Sequence, residues 1–361
     1  MKITAVRLRR AALELDPPFE AAWDPVPRRR FVATLVFVET DEGPTGVGSG
    51  DTMDGFEPYE HLFLGRDPLD VEGHARVIET IAFHAGRYWP LEAALWDLLG
   101  KARGVPVATL LGGAAERLPA YASTGSIRPA KETAELAIQL REEGFRALKI
   151  RVEPPAFEDG LVRVAAVRDA VGDEMEVMVD LNQGWRMPGD VTPPCPYEDV
   201  RRFADGLAAH GVRWLEEPLH GEDVSGLARL RDETAVPLAG GEMARTPPLL
   251  DAYLEAGALD VLQPDAVLAV GIARARDLAL KAIGQGLAFT PHTWTNGIGL
   301  LANLHVTAGV GGGPYLEFPY DPPGWTPERR DFMLATPIVP DADGYLALSD
   351  APGLGIELAE D

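Results

Sequence analysis

Seven short apolar runs between residues 147 and 318 carry or end on side chains that can ionise. "ALKIRV" places Lys149 and Arg151 two residues apart, and "VMVDLN" ends in Asp180 and Asn182. "VRWLEE" brings Glu216, "PLAGGE" Glu242, "LDVLQPD" Asp265, "LAFTPH" His292 and "PYLEF" Glu317. A single acid at such a place is commonly a helix cap or a surface turn. Seven in succession are hard to assign to stability, because a buried charge without a partner is costly. Asp180, Glu216 and Glu242, if they converge, need a cation or protons to offset them. Carboxylates with no cysteine nearby are hard oxygen donors, which suit Mg²⁺ better than zinc. Asp265 and His292 suggest a different pair. A carboxylate beside an imidazole fixes its tautomer and raises its basicity, as a general base or acid requires. Trp294 follows in "TPHTW". On a strand Lys149 and Arg151 share one side, with Leu148, Ile150 and Val152 on the other. That side is either solvated or lines a site with acidic contents.

These residues can meet only if the runs are parallel strands whose ends point the same way. Eight strand candidates cover 120–124, 147–152, 177–182, 212–217, 237–242, 259–265, 287–292 and 314–318. Seven helical segments fall between them, from "KETAELAIQLREEG" to "IGLLANLHVTAG". Eight such units predict an α/β fold, a (β/α) barrel over 116–318 in preference to a doubly wound sheet, with its active site at the strand ends. Residues 1–115 read as α+β: two alternating strands, "MKITAVRLRRAAL" and "RRFVATLVFVET", then a helix from Pro90 to about Arg103. A Pro-rich loop is expected over 16–28 and a second irregular stretch over 50–60. The tail, 319–361, is expected to pack back on the N-terminal part.

The chain has 361 residues, long enough for a large core and more than one folding unit. Its 56 acidic against 33 basic residues disfavour nucleic acid or an anionic membrane as partner. Cys195 is the only cysteine, so there is no internal disulfide. The N-terminus shows no signal-peptide core and no run reaches transmembrane length, so a cytoplasmic protein is expected. The stretch 183–199 is long and Pro-rich, and is expected to shape a pocket mouth or a subunit contact.

In order and spacing, "VMVDLNQGW", "WLEEPL", "AGGEM", "LQPDAVLAVGI", "TPHTW" and "YLEF" resemble the enolase superfamily, in its mandelate racemase-like subgroup of acid-sugar dehydratases and racemases. The resemblance covers almost the whole chain, and "ALWDLLGKARGVPVATLLGG" (94–113) looks like that family's linker into the barrel. It implies a modified TIM barrel with an α+β capping domain, formed by the N-terminus and the C-terminal tail. It further implies Mg²⁺ held by Asp180, Glu216 and Glu242, a catalytic dyad of Asp265 and His292, and Glu317 on the eighth strand. The substrate would be a small carboxylate, a sugar acid, and family habit suggests a homo-oligomer. Loops 16–28 and 50–60 would select substrate, with Trp23, Met53, Asp54 and Phe56 as contacts beside Trp294. Removal of the proton α to a carboxylate, by a Lys or His base with Mg²⁺, is an established property of that family and not read from these residues. Lys149 would lie against the substrate carboxylate as the first lysine of the family's K-x-K motif, and Asn182 resembles the residue that binds the α-hydroxyl.

The chain departs from the pattern at Arg151, where the family's second lysine is a base. An arginine stays protonated and is a poor proton acceptor. Racemisation or epimerisation needs a base on each face of the substrate, and only His292 is left. One base can still take the α-proton and then protonate a departing β-hydroxyl, so dehydration to a 2-keto-3-deoxy acid is the expected reaction. A racemase or epimerase, a cycloisomerase (which would call for a lysine near the sixth strand, where Asp265 stands) and a catalytically silent sugar-acid binder are the alternatives.

Overall fold

The computed structural model describes residues 1–185, 193–244 and 246–360. Strand β1 (Ile3–Phe19) pairs antiparallel with β2 (Arg28–Thr40), and β3 (Gly46–Gly48) adds to β2. The expected loop 16–28 is therefore shorter. Phe19 still pairs with Arg28, after an irregularity that accommodates the prolines, and the connection is 20–27. Burial explains the extension: Phe19 is fully covered, its ring on Trp294 and Trp325. A 3-10 turn (Glu57–Leu62) interrupts the second irregular stretch. Helices α1 (Val71–His84), α2 (Trp89–Arg103) and α3 (Val107–Leu111) complete the cap. Proline in the first turn of α2 and left-handed Gly104 after its end set its limits.

The predicted barrel follows. Its strands are β4 (Arg117–Ser123), β5 (Ala147–Arg151), β6 (Glu176–Asp180), β7 (Leu215–Glu216), β8 (Leu238–Gly240), β9 (Val261–Leu262), β10 (Ala288–Phe289) and β11 (Leu316–Pro319). Between them run α4 (Ala130–Glu142), α5 (Phe157–Val171), α6 (Tyr197–Ala209), α7 (Val224–Glu233), α8 (Pro247–Ala256), α9 (Gly271–Gly284) and α10 (Gly297–Val310). Every neighbouring pair in the order β10-β9-β8-β7-β6-β5-β4-β11 is parallel. The Gly313 N–H, donating to the Phe289 carbonyl at 2.9 Å, closes the ring. Tyr121, Ala147, Met178, Trp214, Ala239 and Val261 form one buried cluster, a floor inside the barrel. Two residues further along the same strands stand Ser123, Lys149, Asp180, Glu216, Gly241 and Gln263, so strand periodicity turns these inward as the next layer. Leu148, Ile150 and Val152 join the larger core instead, as expected of the opposite face.

The tail carries α11 (Pro327–Arg330) and β12 (Tyr345–Ala347). Met333 and Leu334 pack on Ala33, Leu35 and Val47 of the cap, while β12 pairs antiparallel with the start of β4. It therefore joins the barrel as well as the cap. Among the described residues no helix is long and apolar enough to cross a membrane.

Helix α2 fastens these parts together through two buried acids. Asp97 accepts from the N–H groups of Val47 and Leu354, both at 2.8 Å, and pairs with Lys101 at 2.6 Å. Glu92 accepts from the Ala273 N–H at the start of α9 (2.9 Å) and from Trp96 Nε1 (3.2 Å). Gly271, at φ 80°, lies under that contact, and a Cβ there would stand 1.8 Å from Glu92 Oε2. Gly271→Ala is expected to destabilise by about 2–4 kcal/mol, from the left-handed backbone and the overpacking together. Gly284→Ala, with open space around its Cβ, should leave the midpoint unchanged or raise it. Unfolding midpoints of the two variants check this, and equal midpoints would refute it.

Candidate active site

The inward layer of the barrel is charged. Lys149, fully buried, ion-pairs with Glu216, with Glu317 at 2.7 Å and with Asp180 at 3.4 Å. Its ammonium lies 5.6 Å from the centre of the Tyr121 ring in the floor. Arg151 pairs with Asp180, donates from Nη1 to Asn182 Oδ1 (3.1 Å) and from Nε to the Thr124 carbonyl (2.8 Å). Trp23 from the 20–27 connection and Trp294 lie 4.7 and 5.8 Å from its guanidinium carbon. Each of Asp180, Glu216 and Glu242 offers an oxygen within 4.8 Å of the others, and all three are buried.

Buried neighbours orient these acids. Trp214 Nε1 (3.1 Å) and Gln263 Nε2 (2.9 Å) donate to Glu216 Oε2, and Trp185 Nε1 donates to Glu242 Oε1 (2.8 Å). The Asn182 N–H donates to Asp180 Oδ1 at 2.8 Å. Glu242 Oε2 is buried with no hydrogen-bond partner among the described residues. An all-oxygen donor set with a spare buried oxygen fits a hard divalent cation, and the triad can hold one.

Asp265 and His292 lie three residues beyond β9 and β10, in the loops above the barrel. His292 Nδ1 is 2.9 Å from Asp265 Oδ2, while Asp265 Oδ1 accepts from the Val267 N–H (2.7 Å) and Asn303 Nδ2 (3.1 Å). An N–H at Nδ1 toward the carboxylate leaves Nε2 as the working nitrogen. Nε2 stands 3.9 Å from Glu242 Oε2, on the side of the triad. Glu317 accepts from Ser123 Oγ (2.8 Å) and from the Thr293 N–H (2.7 Å).

Burial and charge compete at every group. Burial works to lower Lys149 and Arg151, but Glu216 and Glu317 reverse it at Lys149 and Asp180 reverses it at Arg151, so both end raised. Burial likewise disfavours charged His292, yet Glu242 and the Asp265 hydrogen bond bring it up to about 9. Burial pushes Asp180 and Glu242 up, and in Asp180 it outweighs Arg151. At Glu216 and Glu317 Lys149 overcomes burial and both are lowered, Glu317 to about 2. Neighbouring Glu217 is also buried and raised well above the carboxylate range, chiefly by burial. Six buried carboxylates thus meet three basic side chains, and the carboxyls raised are Asp180, Glu242 and Glu217.

The cap supplies two cavities. One, about 520 Å³, is lined by Trp23, Arg151, Asn182 and Trp185 among others. The other, about 450 Å³, lies between the cap strands, residues 50–54 and Asn296. Of the expected cap contacts, Trp23 lines the first cavity and Asp54 the second, where it pairs with Arg10. Phe56 and Met53 are corrected: both are buried in the cap core, Phe56 against Phe63 and Tyr88. Their apolar side chains gain more there than over a polar site. Of the stretch 183–199, Trp185 reaches the triad, while 186–192 lie outside the described residues.

Sequence reasoning passed over Ser123, Trp214, Gln263 and Asn303. Three of them had a signal: Trp214 and Gln263 stand two residues before Glu216 and Asp265, and Ser123 ends the first barrel run. Asn303, in mid-helix on α10, had none.

Residues 3–112 match the family described as Mandelate racemase / muconate lactonizing enzyme, N-terminal domain, and 132–361 that described as Enolase C-terminal domain-like. The D-galactarolactone cycloisomerase of Agrobacterium fabrum is 33% identical over all of this chain and 97% of its own. The arabinonate dehydratase of Saccharolobus solfataricus is 28% identical over 75% of this chain and 69% of its own. The crystal structure of a racemase from Streptomyces coelicolor A3(2) with bound magnesium is 26% identical, covering 99% of this chain and 97% of that one, with a TM-score of 0.83. Related proteins thus include a dehydratase, a cycloisomerase and a racemase. Both parts of the chain match, the folds superpose, and the buried acids can take the metal such a relative carries: this chain belongs to the mandelate racemase/muconate lactonizing enzyme family of the enolase superfamily.

Proposed function

We propose that the chain removes the proton α to the carboxylate of a sugar acid and then eliminates water, giving a 2-keto-3-deoxy acid. One observation carries this reading. His292, oriented by Asp265 and held up at about 9, becomes a free base as the pH rises toward that value, whereas Arg151 is raised from an already high value and stays a fixed cation. His292 Nε2 takes the α-proton, and the C–H electron pair moves into the carboxylate. The imidazolium then returns that proton to the β-hydroxyl, the C–O bond breaks, water leaves, and the enol becomes the ketone. A Mg²⁺ held by Asp180, Glu216 and Glu242 supplies positive charge where the carboxylate oxygens gain negative charge. Lys149 and Arg151 bind the carboxylate and α-hydroxyl, Asn182 orients Arg151, Glu317 holds Lys149, and Trp294 and Trp23 border the substrate.

The cycloisomerase relative favours a second reading. If the leaving oxygen belongs to a lactone ring, the same two proton transfers open the ring and yield an isomer with no loss of water.

Turnover of aldonates, aldarates and their lactones with Mg²⁺, trapping 2-keto products with semicarbazide, separates these readings by mass. His292→Asn is expected to lower kcat by about 10²–10⁴-fold; retained activity would exclude His292 as the base. In D₂O, substrate recovered before completion should keep its α-configuration, because Arg151 cannot protonate the opposite face. Accumulation of the epimer, read by NMR, would replace this proposal with an epimerase.

A further inference from the structure

We propose that Asp51 makes the far end of the substrate site reject a second carboxylate, so that the substrate is a monoacid: an aldonate, or a lactone with a single free carboxylate. This rests on the sugar-acid reading above and narrows it.

The cavity of about 450 Å³ is of small-molecule size. It adjoins the dyad. Gly50 packs so closely on the β9–α9 connection that a Cβ would meet Val267 at 2.4 Å, and Asp51 lies close enough to Asp265 for their charges to repel. Asn296, four residues after His292, forms the barrel side of the wall. Because Val267, whose N–H Asp265 accepts, packs under this wall, a substrate with its α-carbon at His292 would extend its remaining carbons toward the cavity.

The wall carries the hydroxyls of Thr34 and Thr52, the Asn296 amide, which also bonds Ser49 and caps α10, the two carboxylates Asp51 and Asp54, and one cation, Arg10. Arg10 is already engaged by Asp54. Arg87 stands 3.9 Å from Asp51 Oδ2 but is not among the wall residues. Asp51 Oδ1 accepts the Thr52 N–H at 2.7 Å, and Oδ2 makes no hydrogen bond among the described residues, so it is available to a substrate hydroxyl. Burial raises the pKa of Asp51 more than Arg87 lowers it, which marks its charge as poorly compensated. A distal carboxylate would meet this oxygen with no free cation, and like charges brought together out of water oppose binding strongly. A hydroxyl or a lactone oxygen would not.

The test compares matched acids, D-galactonate with galactarate and D-gluconate with D-glucarate, each with Mg²⁺. Wild type should favour the monoacid of each pair by roughly tenfold or more in kcat/KM. Asp51→Asn, the same shape without the charge, should cut that preference by about tenfold, through KM and not kcat. Arg10→Gln, which releases Asp54, should raise it. Preference for the diacids, or a ratio unmoved by Asp51→Asn, overturns the inference. If no acid of either kind turns over, the proposed function itself fails. Dissociation constants of the same pairs, measured by calorimetry on the wild type and on Asp51→Asn, then still decide whether Asp51 discriminates.

Discussion

The excess of buried carboxylates over bases in the upper barrel is the constraint on which the rest of the molecule depends. Desolvating a carboxylate costs several kcal/mol, and each of these six gives up most of its hydration. Lys149 sits among three of them and Arg151 holds a fourth contact, at Asp180, but two cations cannot serve every acid. The pKa directions reveal where the deficit lies. Lys149 lowers Glu216 and Glu317, while Asp180 and Glu242 rise. Those two belong to the triad, and buried Glu217 beside them rises as well, so a divalent cation at the triad would relieve part of the deficit. Rigid support is the other requirement. Trp214, Gln263 and Trp185 donate hydrogen bonds that keep the acids pointed inward, because mutually repelling groups would otherwise turn toward water.

Arg151 joins this centre to the cap. Its guanidinium is shared among Asp180, Asn182 and the Thr124 carbonyl, with Trp23 over it. Trp23 in turn packs edge-on against Trp294, which stacks on Phe19 at the end of β1. The connection that could admit or exclude solvent is thus attached to the charge whose orientation matters for chemistry. On the other side of the site the 50–54 segment rests on Val267, beside the loop that carries Asp265. Each cap segment touches a different side of the barrel mouth, Trp23 the Arg151 side and Gly50 the loop that carries Asp265.

The barrel and its acids were legible because period-two alternation is a local rule. Once a run such as "ALKIRV" is a parallel strand, the inward side chains follow, and Lys149, Asp180 and Glu216 fall in one layer above Tyr121, Ala147, Met178 and Trp214. Asp265 and His292 were legible as the ends of two further runs and as a carboxylate–imidazole pair, although the ladders themselves stop three residues earlier, at Leu262 and Phe289. What was not legible depends on packing between distant parts. Phe56 and Met53 occur in a loop-like string, yet both join the cap core, Phe56 against Phe63 and Tyr88, an apolar niche that no local pattern reveals. The extension of β1 to Phe19 has the same origin, since its anchor, Trp325, is 306 residues away. Asp51 belongs here too: its weight comes from the cavity wall and from Asp265, not from its neighbours in sequence.

On the proposed reading, the reaction type turns on one side chain in fixed surroundings. The site around position 151 would act differently on an amine and on a guanidinium. Burial lowers an amine's pKa readily, and a lysine there, with Asp180 committed to a metal, could give up its proton and act as a second base. A guanidinium starts so high that the same burial leaves it charged, and its planar fork reaches Asp180, Asn182 and Thr124 together, as an ammonium could not. On the reading proposed above, the chain would keep the acids, the dyad and the lysine of a proton-abstracting site while lacking proton delivery from one face. A site with one base can complete an elimination, in which the proton taken from carbon leaves with the oxygen on the same side. It cannot complete an inversion. On that reading, the residue type at position 151 bears on the outcome of the reaction, while Arg151 still pairs with Asp180 in the barrel's upper layer.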